Sequence, residues 1–257
     1  MAMRNQLRAA FYLLSRSAYL KGAVVLTVLS ALARVWMLFA GFSFGLQDVL
    51  FGNWYFPALI CCLVPAGLAG ADQKAHGWRA NAAAKGDRVG YLISRIVTTW
   101  VSVTVLVALA LALDALLGLV VPAASLLRAT PSAFSLPWIL GGYLAYVAYA
   151  QLALLLCWWS GRTSATLVLL ALMAPHDVLF FALVQLFQWL GRFVPVFLAV
   201  AEAVGSLSLG NVFSVTVVFD MSARLVPNGP LVLFALPLGW IAATLLLSWR
   251  VMSKKAL

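Results

Sequence analysis

Residues 96–113 read IVTTWVSVTVLVALALAL, eighteen positions without an Asp, Glu, Lys or Arg. A helix needs about 20 apolar residues to cross the hydrocarbon core of a bilayer, so this stretch with its immediate neighbours is long enough to span one. Three other charge-free runs are at least as long: 49–71, 129–161 and 225–249. Two more, 22–47 and 163–191, qualify once one internal charge is accepted in each, Arg34 in the first and Asp177 in the second. Only 9% of the 257 residues are charged and 65% are apolar, whereas roughly a quarter of a soluble domain is charged. This composition excludes a water-soluble globule. Six crossings leave little chain for a soluble domain, so chemistry that needs one belongs to a partner.

The expected architecture is an all-α polytopic membrane protein, a single domain with spans at about 22–44, 53–71, 96–120, 137–159, 165–188 and 230–250. Cys61, Cys62 and Cys157 all fall inside apolar runs, and an odd number with an adjacent pair implies neither a disulfide framework nor a zinc site. They read as small buried hydrophobes. Basic residues precede the first apolar run, as in a secretory signal, but no small-residue cleavage site follows before Arg34 and Trp36. The N-terminus is therefore expected to be retained.

The placement of the +10 net charge orients the chain. Residues 1–21 carry Arg4, Arg8, Arg16 and Lys21; the 72–95 loop carries Lys74, Arg79, Lys85, Arg88 and Arg95. Arg162 lies in the 160–164 turn, and Arg250, Lys254 and Lys255 at the C-terminal end. With six spans these thirteen of seventeen basic residues share one side, while only Arg128, Arg192 and Arg224 face the other. The positive-inside tendency then puts both termini and the 72–95 loop in the cytoplasm of a multi-pass protein of the plasma (bacterial inner) membrane. The charge follows membrane edges with no stripe or reader motif, so membrane lipid is an expected partner and nucleic acid is not.

Two segments flank the spans. On a helix at 100° per residue, positions 3–20 put Met3, Leu7, Ala10, Phe11, Leu14 and Ala18 on one face. Arg4, Asn5, Arg8, Tyr12, Ser15, Arg16 and Tyr19 fall on the other, the pattern of an elbow helix lying in the headgroup region. The uncharged run 203–219 resembles a seventh span, but it holds Gly205, Ser206, Ser208, Gly210, Asn211 and Ser214, and a seventh crossing would move Arg250, Lys254 and Lys255 outside. The stretch 189–229 is expected to be an external excursion, re-entrant or lying at the interface.

The 72–95 loop reads as ordered. Trp78 to Lys85 is a helix-favouring run between Gly77 and Gly86, and Asp87 can cap a second helix carrying Arg88, Tyr91, Ser94 and Arg95 into the third span. A short helix across the mouth of a polytopic protein is a docking surface; the plainer reading is a solvated basic inner loop.

These features together resemble the permease subunits of ABC-2 type ATP-driven transporters. The resemblance covers most of the chain: an amphipathic elbow, six spans, cytoplasmic termini, a longer loop between spans two and three, and an external excursion between spans five and six. In that family the second span ends at an acidic residue, followed by a Gly, a short helix, and an Arg with a further Lys or Arg beyond; here Asp72, Gly77, Arg88 and Arg95 look like the matching residues. The family often has Thr where this chain has Trp78, and its acid is often closer to the Gly. The resemblance implies a coupling loop containing Asp72, Lys74, Gly77, Trp78, Arg79, Arg88 and Arg95 that seats in a separate ABC ATPase subunit, which binds the ATP and Mg. It also implies a second permease copy or a related permease. The chain contains neither GxxxxGK[ST] nor LSGGQ, so without a phosphate loop it is not itself the ATPase, and neither catalytic residues nor a cofactor or metal of its own is expected.

Intramembrane ionisable residues are the remaining candidates. Arg34 lies near mid-span, where an unpaired charge costs about 2.5 to 3.5 kcal/mol on insertion scales. Asp177, next to His176 and after Pro175, is comparably deep in span five and can pair with Arg34 or contact substrate. Asp114 lies toward the far end of span three, as a hydrated helix end or as a proton or cation site. Most Trp residues, among them Trp54, Trp100, Trp138, Trp158, Trp159, Trp189, Trp240 and Trp249, fall near span ends as interface anchors. The expected function is the membrane-spanning subunit of an exporter moving an amphiphilic or hydrophobic substrate such as a lipid, peptide or drug. An ion-coupled carrier or channel using Asp114, Asp177 and Arg34 is the alternative, with a non-transporting accessory or immunity protein the third.

Overall fold

The computed structural model describes residues 2–40, 56–74, 88–121, 132–173, 178–213 and 229–254. Every regular element among them is helical: α1 (Ala2–Arg16), α2 (Ala18–Phe39), α3 (Phe56–Lys74), α4 (Arg88–Val120), α5 (Ser132–Ser160), α6 (Thr163–Met173), α7 (Val178–Gly191), α8 (Val196–Ser206) and α9 (Leu236–Lys254). A 3-10 turn over Leu209–Phe213 and a π turn over Leu231–Ala235 complete the set. By length and composition the segments Val89–Val120, Ile139–Ser160 and Leu231–Met252 are able to cross a membrane, and α1 with α2 form a fourth if the bent pair counts as one span. The outward faces carry Val25, Leu29, Leu32 and Trp36 on α2 and Leu246 and Leu247 on α9, all exposed. Apolar surface on that scale belongs against lipid. The chain is an all-α membrane protein.

The elbow starts one residue earlier than its sequence pattern and ends sooner, because Ser17 breaks it. Its hydroxyl accepts the Tyr19 backbone N–H at 3.1 Å and caps α2, which leaves at 50° to α1. Ala10 and Leu14 of the apolar face are buried and Arg4, Arg8, Tyr12, Ser15 and Arg16 of the polar face are exposed, as the helical wheel predicts, while Phe11 and Ala18 of the apolar face are also exposed. What α1 covers is protein, since it packs on α4.

Helix α5 is the hub: 72% of its membrane-length window is buried, against 28% for α4 and for α9. Its closest partner is α3, and the reason is residue size. Ala58, Cys62, Ala66 and Ala69 of α3 and Ala145, Ala148 and Ala153 of α5 are all buried. Between helices in lipid, association depends on close van der Waals packing, which small residues permit. The Cys157 thiol comes within 3.5 Å of the Ala66 carbonyl, and all three cysteines are buried and outside any disulfide, in their expected role as small hydrophobes.

Local breaks follow local chemistry. Gly161 takes φ 71° after α5, the left-handed conformation that ends a helix, and turns the chain into α6. In the first turn of α9, Pro237 lacks an N–H, and the turn before it widens so that the Leu236 N–H bonds the Leu231 carbonyl five residues back. The stretch expected to be one span over 165–188 is α6 and α7, with residues 174–177 outside the described set. Helices α7 and α8, fourteen and eleven residues long, pack on each other as a short hairpin. The chain then returns to the core: Leu209 and Val212 are buried, Phe213 meets Tyr146 at 5.5 Å between ring centroids, and the Trp240 indole N–H bonds the Leu207 carbonyl at 2.8 Å.

Candidate functional site

The end of α3 and the start of α4 enclose the 72–95 loop, and a buried polar cluster joins them. Asp72 lies in the last turn of α3, where the helix dipole disfavours an acid. It is compensated from α4: the Arg95 Nη2 donates to Asp72 Oδ1 at 2.6 Å and ion-pairs with Oδ2, and the Tyr91 hydroxyl donates to Oδ2 at 2.6 Å. Tyr91 and Arg95 share one face of α4 because they are four residues apart, and the Arg95 guanidinium carbon lies 5.5 Å from the centre of the Tyr91 ring. Hydroxyls secure the helix around Arg95: Ser94 donates to the Tyr91 carbonyl at 2.7 Å, and Thr99 to the Arg95 carbonyl at 2.8 Å.

The cluster lies where several elements converge. Tyr91 packs with Ala69 of α3, Cys157 and Trp158 of α5 and Met252 of α9 in a hydrophobic group separate from the main core. Trp158, expected from its sequence position to be an interface anchor, is instead buried here, while its neighbour Trp159 is exposed. The Tyr19 ring lies against Gly67, and Thr163 against Gly70, so α2 and α6 begin at this same end. The segments expected to hold most of the basic residues therefore meet at one end of the bundle.

A recess opens between α1 and the base of α4, with a volume of about 140 Å³. Asn5, Gln6, Ala9 and Leu13 line it from the elbow, Ser94 and Arg95 from α4. Arg95 is only 5% exposed, and its Nε and Nη1 atoms are buried without a hydrogen-bond partner, as is the Gln6 Oε1.

No protein-family model, curated protein or solved structure matches the chain.

Among the expected site residues, Asp72 and Arg95 come together directly. Lys74 ends α3 and Arg88 begins α4, with side chains outside the described set, as are Gly77, Trp78 and Arg79 altogether. Arg34 is on α2 but its side chain is likewise outside that set, and His176 and Asp177 fall in 174–177, so their pairing is not described. Asp114 is fully buried rather than at a hydrated end. It lies nineteen positions beyond Arg95 on α4, roughly 28 Å along a helix, too far to share a site. Sequence reasoning placed Tyr91 on this helix without its role, which the i, i+4 spacing to Arg95 signals. It missed Gln6, whose signal is a polar residue at i−4 and i−8 from the buried Ala10 and Leu14. Among the described residues no three His, Cys, Asp or Glu side chains gather to hold a metal. The arrangement is a mechanical clamp between two helix ends.

Proposed function

We propose that this chain is the permease subunit of an ABC-2 type exporter, crossing the membrane six times with both termini in the cytoplasm and working with a separate ATPase. The clamp of Asp72, Tyr91 and Arg95 carries the reading. A loop that passes the closure of an ATPase into the membrane must be tied to both of its stems, or displacement would dissipate in the chain. A part-buried ion pair across the stems makes α3 and α4 move together. The crowding of the basic segments at the same end supports this orientation, and the apolar helices suit an amphiphilic or hydrophobic cargo. Helices α6 and α7 together serve as the fifth crossing.

Two results test this. A reporter fused after Leu257 should read as cytoplasmic and a tag near Pro131 as external; an external C-terminus would restore a seventh crossing and remove the six-span topology. If Trp78 heads the docking helix, Trp78→Ala should weaken association with the ATPase by about thirtyfold, the worth of one buried aromatic anchor, while the protein still inserts. Association at wild-type strength, with coupled hydrolysis intact, would leave the loop without a coupling role.

Complete burial of Asp114 favours one competing reading, an ion-coupled carrier, because an intramembrane acid is a functional candidate by default. Transport that follows an ion gradient without ATP and is lost in Asp114→Asn would decide for it.

A further inference from the structure

We propose that helix α8 lines a water-filled pocket open on the side of the membrane away from the clamp, and that Glu202 in its wall binds a cationic group such as an alkylammonium. That the open side is the outer one rests on the six-crossing topology proposed above.

The depth of the pocket follows from two contacts. Trp158 of α5 and Met252 of α9 share the hydrophobic group beside the clamp. Tyr146 and Trp240 are each twelve residues further from the clamp, roughly 18 Å along their helices. These two hold the chain that follows α8: the Trp240 indole N–H bonds the Leu207 carbonyl, and the Tyr146 ring meets Phe213. The hydrocarbon core is about 30 Å thick, so residues 207–213 lie within it and not at its surface. Polar, irregular chain is tolerated at that depth only where protein buries it or water reaches it. Ser208, Leu209 and Val212 are buried, but Gly210 and Asn211 keep a partly open side.

Helix α8 carries the water-facing wall. Ala199, Glu202, Ala203 and Ser206 fall on one stripe at helical spacing, and all are exposed. The stripe holds no large apolar side chain, although Val196 and Leu198 are exposed on either side of it. Lipid would face side chains of the second kind. A carboxylate with a hydroxyl one turn deeper belongs against water.

Charge selects the ligand. Asp72 and Glu202 share a difficulty, since each lies near the C-terminal end of its helix, where the dipole disfavours an acid. Arg95 compensates Asp72, but among the described residues no cation pairs with Glu202. Arg192 follows Gly191, which packs against Leu198, so it lies about a turn above Glu202. A cation entering from the water supplies what the chain lacks. An alkylammonium also sets its apolar part beside the exposed Leu198 and Leu207.

Ser206→Cys and Ala199→Cys place reporters on the stripe, and the native Cys61, Cys62 and Cys157 are too buried to react. Sealed vesicles of each variant are treated from either side with two membrane-impermeant methanethiosulfonates, one carrying trimethylammonium and one sulfonate, and rates are divided by those for a free thiol in water. From the outer side both reporters should be labelled, the cationic reagent about tenfold faster than the anionic, as expected where an unpaired charge lines a cleft. Glu202→Gln should bring the two rates together at unchanged melting temperature. Millimolar tetraethylammonium should slow labelling only when Glu202 is present. Rates no higher than at Leu246→Cys, on the lipid-facing surface of α9, would overturn the pocket while leaving the topology standing; a second copy covering the stripe would give that result. Equal rates for the two reagents with Glu202 in place would overturn the cation site. Labelling from the cytoplasmic side alone would overturn the six-crossing topology and, with it, the outward opening.

Discussion

Arg95→Gln is expected to destabilise the folded protein by about 3 kcal/mol or more, because it leaves the Asp72 carboxylate without its ion-pair partner in a site where neither side chain is well solvated. Asp72→Asn should do comparable harm by stranding Arg95. The double variant Arg95→Gln with Asp72→Asn should recover a large part of the loss, since two neutral amides can hydrogen-bond across the same gap. Tyr91→Phe removes one hydrogen bond to a charged acceptor and should cost about 1.5 to 3 kcal/mol. Thermal melting in detergent, followed by size-exclusion fluorescence, reads all four. Strictly additive losses in the double variant would show that the two charges do not depend on one another.

The second large effect is steric. A Cβ on Gly70 would overlap the Thr163 hydroxyl and approach the Thr163 Cβ to 3.2 Å, so α6 sits against α3 only because residue 70 has no side chain. Gly70→Leu should destabilise by about 3 kcal/mol, and Gly70→Ala by roughly 1 kcal/mol because Thr163 can rotate aside. Adding Thr163→Ala to Gly70→Ala should restore most of that loss. If it restores none, the contact between α3 and α6 is not the origin of the effect.

What could be read ahead of the structure follows from which properties are local. Charge-free runs mark apolar helices because the bilayer imposes a length, and the elbow's two faces are legible because exposed Arg4, Arg8 and Arg16 and buried Ala10 and Leu14 recur at helical spacing. Asp72 and Arg95 were legible as separate members of a family-like motif, but their pairing was not, and nothing in a linear sequence says that Tyr91 donates to the same carboxylate. Burial of Asp114 and Trp158 depends on which neighbours close over them. Their sequence positions near helix ends argue for hydration, and tertiary packing overrides that. Gly70 against Thr163 is a contact across ninety-three positions and leaves no periodic trace. The pairing of α7 with α8 was not legible: the residues of α7 read as the end of span five and those of α8 as part of the external excursion, since both helices are short and apolar and hydropathy does not distinguish a hairpin from a crossing.

The most direct test is purification of the full-length chain from its native membranes in mild detergent, with mass spectrometry of what co-elutes and assay of ATP hydrolysis in the peak. A permease subunit predicts a soluble ATPase bearing a phosphate loop at fixed stoichiometry, with hydrolysis in that peak; both should be lost when Trp78→Ala is purified in the same way. Folded wild-type protein that elutes without an ATPase, and shows transport that responds to an ion gradient instead, would contradict it.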